Sequence, residues 1–270
     1  AGEAMPITLG ILVAGVICYM LSAATSLDQG IKFLSNLNMA LVVLVLLFIL
    51  FAGSTGFILK TFFDSIGAYA SELVTMSFRS FPFRDVDGWF QDWTLTTLIW
   101  WIAWAPFVGV FIARISRGRT IREFVVGVLL VPTVFSIFWF AVFGGSAFDI
   151  ELNGAGGVSR LVDENVTLSL FYVYDQLPMS TLLSGTTCFL VFVFVVTSAD
   201  SATFVWSMMT SGGSMDPPRQ RKLTWGVVLG GIGAALIISG RLQAIRAVSI
   251  IGAIPFTLIL LLQTSALLRR

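Results

Sequence analysis

The sequence predicts an all-α fold, a polytopic bundle of membrane-spanning helices, and three observations carry that reading. Hydrophobic residues make up 57% of the 270-residue chain and charged residues only 11%, against roughly 25% charged in soluble domains. Mean hydropathy is +0.92. Seven apolar stretches recur along the chain, and about twenty such residues in a helix cross the roughly 30 Å of bilayer hydrocarbon.

In order, the first span is expected at residues 7–27 and the second at 39–61. Residues 62–91 are too polar to span, yet Ile66, Tyr69, Ala70, Leu73 and Met76 recur at helical spacing. That pattern predicts an amphipathic helix over 64–77 lying at the membrane surface. The remaining spans are expected at 93–113, 121–143, 180–210, 223–239 and 244–268. Between the fourth and fifth, residues 144–179 are rich in glycine and acids, with a short helix expected over 167–175. Thr120 and Glu123 fit a capping box at the start of the fourth span.

Several function classes drop out. A net charge of +1 gives no reason to expect a nucleic-acid partner, and the absence of histidine removes His-based triads and most zinc sites. No HExxH, GxSxG or paired intramembrane aspartates occur, so neither an enzyme nor a resident cofactor is expected. Cys18 and Cys188 lie in apolar runs and read as buried free thiols. The chain begins Ala-Gly-Glu without a signal peptide, which reads as a piece of a longer protein.

Orientation follows from the basic residues. Ten of the sixteen (Lys32, Arg114, Arg117, Arg119, Arg122, Arg219, Arg221, Lys222, Arg269 and Arg270) fall on alternate connections, while the other connections hold eleven of the fifteen acids. The basic side is expected in the cytoplasm, against anionic lipid headgroups. The amino end of the chain is then outside and the carboxyl end inside. Arg114 or Arg122 could also pair with acids as a cytoplasmic gate.

The third span carries the strongest functional signal. Trp100, Trp101 and Trp104 sit near its middle, with Phe107 continuing the Trp100/Trp104 stripe. Tryptophan normally marks the headgroup belts, and at the midplane an indole N–H needs a protein, ligand or water partner. Such a column offers π faces to a weakly hydrated cation of the quaternary ammonium kind. It reads equally as an aromatic packing stripe. Pro106 and Gly109 are expected to loosen the helix and free carbonyls around Ala103 and Ala105.

The fifth span holds Thr197, Ser198, Asp200 and Ser201 deep in an apolar run. Hydroxyl and carbonyl oxygens suit a hard cation; alternatively these hydroxyls bond back to their own helix. Asp200 is expected to bond a neighbouring helix or an arginine. Asn165-Val-Thr167 matches a glycosylation sequon, to which no function is assigned.

WWIAWAPFVG followed by ARISRGRTIREF, together with LDQGIKFLSNLN, LLVPTVFSIFWFAVFGGSAF and VTSADS, resembles the betaine/choline/carnitine transporter family across the chain. The resemblance implies a LeuT-like inverted-repeat fold, here the last seven of twelve helices. On that reading 1–61 ends the first repeat, 62–92 is the extracytoplasmic connection, and 93–270 is the second five-helix repeat. It implies a secondary active importer of a quaternary ammonium solute (glycine betaine, choline or carnitine type) in the cell membrane, working by alternating access. Trp101 and Trp104 then match the tryptophans facing the trimethylammonium group, with Trp100 beside them on the route to the cytoplasm. Phe107 matches a phenylalanine linked to a second sodium site. The carbonyl of Phe194 and the hydroxyls of Thr197 and Ser198 match ligands of one sodium ion. The resemblance further implies Na+ as coupling ion, with H+ as the other choice, and a homotrimer contacted through 64–77. Keeping Trp104 and Pro106 favours an ion-coupled importer over a carnitine-type exchanger. A channel or osmosensor on the same scaffold is the other class, marked by flux that neither saturates nor follows an ion gradient.

Overall fold

The computed structural model describes residues 4–24, 28–214, 216–239 and 242–269. Among these, the regular elements are helices: α1 Ala4–Ala24, α2 Asp28–Ala52, α3 Thr55–Ser77, the single turn α4 Asp87–Trp89, a π-helical stretch Phe90–Leu95 that runs into α5 Thr96–Ile115, α6 Ile121–Asn153, α7 Val158–Asp175, α8 Ser180–Met209, α9 Arg219–Ser239 and α10 Leu242–Leu268. Among the described residues, seven helices are long and apolar enough to cross a membrane: Met5–Ala23, Phe33–Ala52, Phe90–Ala113, Ile121–Asn153, Ser180–Met209, Arg219–Ser239 and Ile250–Leu268. The chain is a polytopic helical membrane protein. Residues 25–27 of the first expected span lie outside the described residues.

Four expected boundaries are corrected. The second span does not run 39–61: α2 ends at Ala52, and Thr61 belongs to α3. The break falls at Gly53 and Ser54, where a Cβ on Gly53 would stand 2.9 Å from the Ile49 carbonyl oxygen. Thr55 Oγ1 closes the joint by donating to the Leu50 carbonyl at 2.7 Å. The helix expected over 64–77 therefore starts at Thr55, and its first turns pack on protein through the buried Ile58. The fourth span does not stop at 143 but continues through Gly144 and Gly145 to Asn153, because two glycines inside a helix cost only about 1 kcal/mol each. Finally, the helix expected over 167–175 begins at Val158 and bends at Asn165, where φ is −160° and ψ 91°.

The chain divides into two compact units. Unit 2 comprises Lys32–Ser80 and Gly118–Phe194. Its core joins Leu46 and Ile49 of α2, Ile58 of α3, Val142 of α6, Tyr174 of α7 and Leu183 of α8. Ile58 is 0% exposed, and a Cβ at Gly145 would sit 3.6 Å from its Cα, so α3 and α6 meet almost backbone to backbone. Lipid tails are as apolar as leucine, so such close packing, more than withdrawal of apolar surface from water, is what holds membrane helices together. The Phe62 and Phe138 rings add an edge-to-face contact at 5.4 Å and 85°.

Polar ties fix the ends of these helices. Ser54 Oγ donates to Asp149. Glu151 accepts from the backbone N–H of Val158 at 2.7 Å and from the Ser159 hydroxyl, so the end of α6 caps the start of α7 with charge of the sign that a helix N-terminus favours. Gly157, at φ +86°, makes the turn between them. Tyr172 Oη donates to the Gly156 carbonyl at 2.7 Å. Tyr174, 1% exposed, shares a 3.0 Å hydrogen bond with Thr187 of α8; burial pushes its phenol above the ordinary tyrosine range, with the Thr187 bond acting the other way.

Unit 1 comprises Ala1–Ile31, Phe81–Arg117 and Val195–Arg270. Within it α1 packs on α9 and α5 on α10. Gly226 and Gly230 let α1 approach α9: a Cβ on Gly230 would lie 2.9 Å from Val16 Cγ2 and 3.0 Å from Tyr19 Oη. The space saved brings Tyr19 Oη to 2.8 Å from the Gly226 carbonyl, to which it donates. Small residues at close helix crossings are the usual device for packing in lipid. At the far end of α8, Trp225 Nε1 donates to Thr210 Oγ1 at 2.9 Å, Arg221 donates to the Thr210 carbonyl, and the Trp206 and Trp225 rings meet at 5.2 Å and 60°.

Both cysteines are free, as expected, but both are exposed. Cys18 and Cys188 are apolar enough to face outward from membrane helices, so burial does not follow from lying in an apolar run.

Candidate functional site

α5 brings the four aromatic residues of the third span together. The Trp100 and Trp104 rings stack at 4.8 Å and 25°, and Phe107 extends the column at 6.2 Å and 31° from Trp104. The i, i+4 and i, i+3 spacings place these rings over one another on one helix face. Trp101 stands across the column, 5.3 Å and 77° from Trp100 and 6.2 Å and 72° from Trp104. Trp100 and Trp104 therefore stack on each other, and each forms a corner with Trp101. Nothing fits between rings stacked at 4.8 Å. Two rings near a right angle with centroids 6.2 Å apart can both lie within about 6 Å of one cation.

The surroundings suit a cation that carries no proton. Residues 93–113 contain no acid, so a positive group beside these rings meets π faces and no carboxylate from its own helix. The three indoles are 44%, 57% and 40% exposed in chain order, an open aromatic surface on unit 1 and not an enclosed cage. Among the described residues none of the three donates its N–H to a protein acceptor, unlike Trp225.

The helix is less disrupted than its composition suggests. α5 continues without interruption through Pro106, so the expected loosening around Ala103 and Ala105 is not seen. Proline removes the one donor that would bond the Ile102 carbonyl, and a transmembrane helix tolerates this single loss. The irregularity lies earlier, in the π-helical stretch Phe90–Leu95, where the Thr96 hydroxyl donates to the Gln91 carbonyl at 2.8 Å. Such π-turns appear often at functional sites. Sequence patterning carries no signal for this one.

On α8, Phe194, Thr197 and Ser198 lie one helical turn apart. Phe194 and Ser198 are exposed and Thr197 is half-buried. Other hydroxyls of the helix bond back to its carbonyls: Ser201 to Thr197 at 2.9 Å, Thr203 to Asp200 at 2.7 Å and Ser207 to Thr203 at 2.5 Å. Ser198 makes no such bond among the described residues, while Thr197 is engaged within the protein. Oxygen ligands on this turn suit Na+ better than a transition metal. Asp200 takes the first of its two expected partners: Ser22 Oγ on α1 donates to its Oδ1 at 2.8 Å. A carboxylate in a membrane span costs roughly 3 kcal/mol on insertion scales, which explains why it is turned to a protein donor.

The capping box is present in full. Glu123 N–H donates to Thr120 Oγ1 at 3.2 Å, and Thr120 N–H donates to Glu123 Oε2 at 2.9 Å. Arg117, Arg119 and Arg122 beside it are exposed. The ring cluster of Trp206 and Trp225 and the Glu151 cap were not anticipated, since each joins residues whose partners sequence spacing does not identify.

Comparison with known proteins gives a consistent answer. Residues 2–270 match the family model described as BCCT, betaine/carnitine/choline family transporter. The chain is 43% identical over 259 residues to the ectoine/hydroxyectoine transporter of Virgibacillus pantothenticus, covering 95% of this chain and 52% of that protein. It is 43% identical over 267 residues to the glycine betaine transporter OpuD of Bacillus subtilis, covering 98% and 51%. Over 264 residues it is 36% identical to the ectoine/glycine betaine/proline transporter EctP of Corynebacterium glutamicum, covering 96% and 43%. The chain spans about half the length of the curated relatives it matches.

Proposed function

The chain belongs to the betaine/carnitine/choline transporter family, whose members move solutes and are not enzymes, and from that premise we propose that it forms part of an ion-coupled importer of compatible solutes. The substrate class is a quaternary ammonium solute such as glycine betaine, with the planar cation of ectoine as the nearest alternative, since relatives named for each are 43% identical to this chain. The observation that supports this best is the ring arrangement on α5. Trp101 and Trp104 present the corner that receives the methylated nitrogen, Trp100 backs Trp104 by stacking, and Phe107 ends the column.

Coupling is proposed to Na+, held by the hydroxyls of Thr197 and Ser198 and the carbonyl of Phe194, with Phe107 beside a second sodium and H+ as the other possible driving ion. The retained Trp104 and Pro106 favour this over exchange. The protein is proposed to sit in the cell membrane as a homotrimer, with the amino end of this chain outside, its carboxyl end cytoplasmic, and its arginine-rich connections on anionic lipid. The decisive experiment measures uptake of radiolabelled glycine betaine by the intact protein carrying this chain, with Trp101→Ala or Trp104→Ala. Uptake at low betaine concentration should fall steeply as KM rises about 30-fold; uptake at unchanged affinity would sink the aromatic site.

A further inference from the structure

We propose that Asp200 is a positioning residue for the cation turn of α8, held in place by Ser22 of α1; this rests on reading Thr197 and Ser198 as cation ligands. The bond from Ser22 Oγ to Asp200 Oδ1 is 2.8 Å and partly buried. Its donor is mounted on a fixed base. Ser22 follows Tyr19 by three residues on α1, hence on a neighbouring part of the same face, and Tyr19 is fastened to the Gly226 carbonyl of α9 at 2.8 Å. Val16 and Met20 close against Gly226 and Gly230 on either side of it.

The acceptor is tied as closely to the ligand turn. Asp200 follows Thr197 by three residues, and the Ser201 hydroxyl, one residue on, donates to the Thr197 carbonyl at 2.9 Å. The Thr203 hydroxyl in turn donates to the carbonyl of Asp200 at 2.7 Å. Fixing the Asp200 side chain against α1 therefore sets the rotation of the turn carrying Thr197 and Ser198 about the axis of α8. Oxygen ligands hold a small cation only when they are placed to within about 0.5 Å. The bond from Ser22 supplies that placement.

A negative charge one turn from a cation would also attract it, and substitutions separate attraction from placement. Ser22→Ala keeps the charge and removes the donor. Asp200→Asn removes the charge and keeps an acceptor oxygen. Sodium titration of glycine betaine uptake at constant ionic strength, with potassium as the balancing ion, reads both in the intact protein carrying this chain. Placement predicts that Ser22→Ala raises the sodium KM about fivefold, the factor one ordinary hydrogen bond carries, with kcat unchanged. Ser22→Thr should restore it, and Asp200→Asn should stay within about twofold of wild type while Asp200→Ala does not. An unchanged sodium KM in Ser22→Ala, or Asp200→Asn as impaired as Asp200→Ala, overturns the inference while leaving the sodium reading intact. Wild-type uptake indifferent to sodium overturns both.

Discussion

Tyr19 on α1 donates its hydroxyl to the backbone carbonyl of Gly226 on α9 at 2.8 Å, a bond made possible by the missing side chains at Gly226 and Gly230. The two glycines differ in what a methyl group would meet. At Gly226 it meets the flexible end of Met20, and at Gly230 it meets the branched Val16 and the Tyr19 hydroxyl itself. A β-branched side chain in a helix is held near one rotamer and cannot turn aside. Gly230→Ala should therefore destabilise the detergent-solubilised protein by about 1–3 kcal/mol, and Gly226→Ala by less. Thermal unfolding followed by size-exclusion chromatography measures the order; equal losses would contradict it.

Truncating the aromatic corner should act on substrate affinity. Each of Trp101→Ala and Trp104→Ala removes a π face worth about 2 kcal/mol when desolvated, or roughly 30-fold in KM. Trp104 also stacks on Trp100 and lies beside Phe107, so Trp104→Ala should be the more damaging of the two, and Trp104→Phe should recover part of the loss. Uptake kinetics for the four proteins decide.

Ser198 is the hydroxyl of its turn that is not spent on its own helix among the described residues. Ser198→Ala should raise the sodium concentration needed for half-maximal uptake about fivefold, the factor carried by one polar contact of about 1 kcal/mol, and leave the rate at saturating sodium unaltered. Ser201→Ala, which loses only a bond back to Thr197, should change it less. A flat sodium response to Ser198→Ala removes this residue from the site.

Tyr174 gives a pH prediction. Its folded-state phenol is raised above the ordinary tyrosine value of about 10, so it keeps its proton in the folded protein where the unfolded chain would lose it. The resulting stability is complete below that ordinary value and is lost as pH rises through the folded one. Absorbance at the tyrosinate band should show Tyr174 contributing to the late part of the titration, and Tyr174→Phe should remove that contribution. The same substitution removes the bond to Thr187 at 3.0 Å and should cost about 1 kcal/mol.

Patterns of hydropathy sufficed to find seven spans, because twenty apolar residues in a row leave no other solution in lipid. The capping box was equally legible, since both partners lie within one turn of helix. Where helices stop was harder to read. Gly53, Ser54, Thr55 and Gly56 form a short breaker between two apolar runs that together look like one span, and α2 ends there with Ser54 tied to Asp149, far away in sequence. Conversely Gly144 and Gly145 look like a terminus, but α6 runs through both and Gly145 lets it pass Ile58 of α3. For the candidate site, spacing gave the ring column. It could not tell which pair stacks and which forms a corner, because that depends on side-chain rotation about each Cα–Cβ bond.

The π-helical stretch ahead of α5 has its own consequence for the indoles. A π-turn holds one residue more than an α-turn, and one residue is about 100° of rotation around a helix axis. The compass bearing of Trp100, Trp101 and Trp104 is therefore set upstream, between Phe90 and Leu95. Deleting Gln91 or Thr94 from that stretch would leave every ring in the chain and every ring-to-ring contact of the column possible, yet swing the whole column toward a different neighbour. A family of proteins with this element has a way to redirect its aromatic face without altering one aromatic residue.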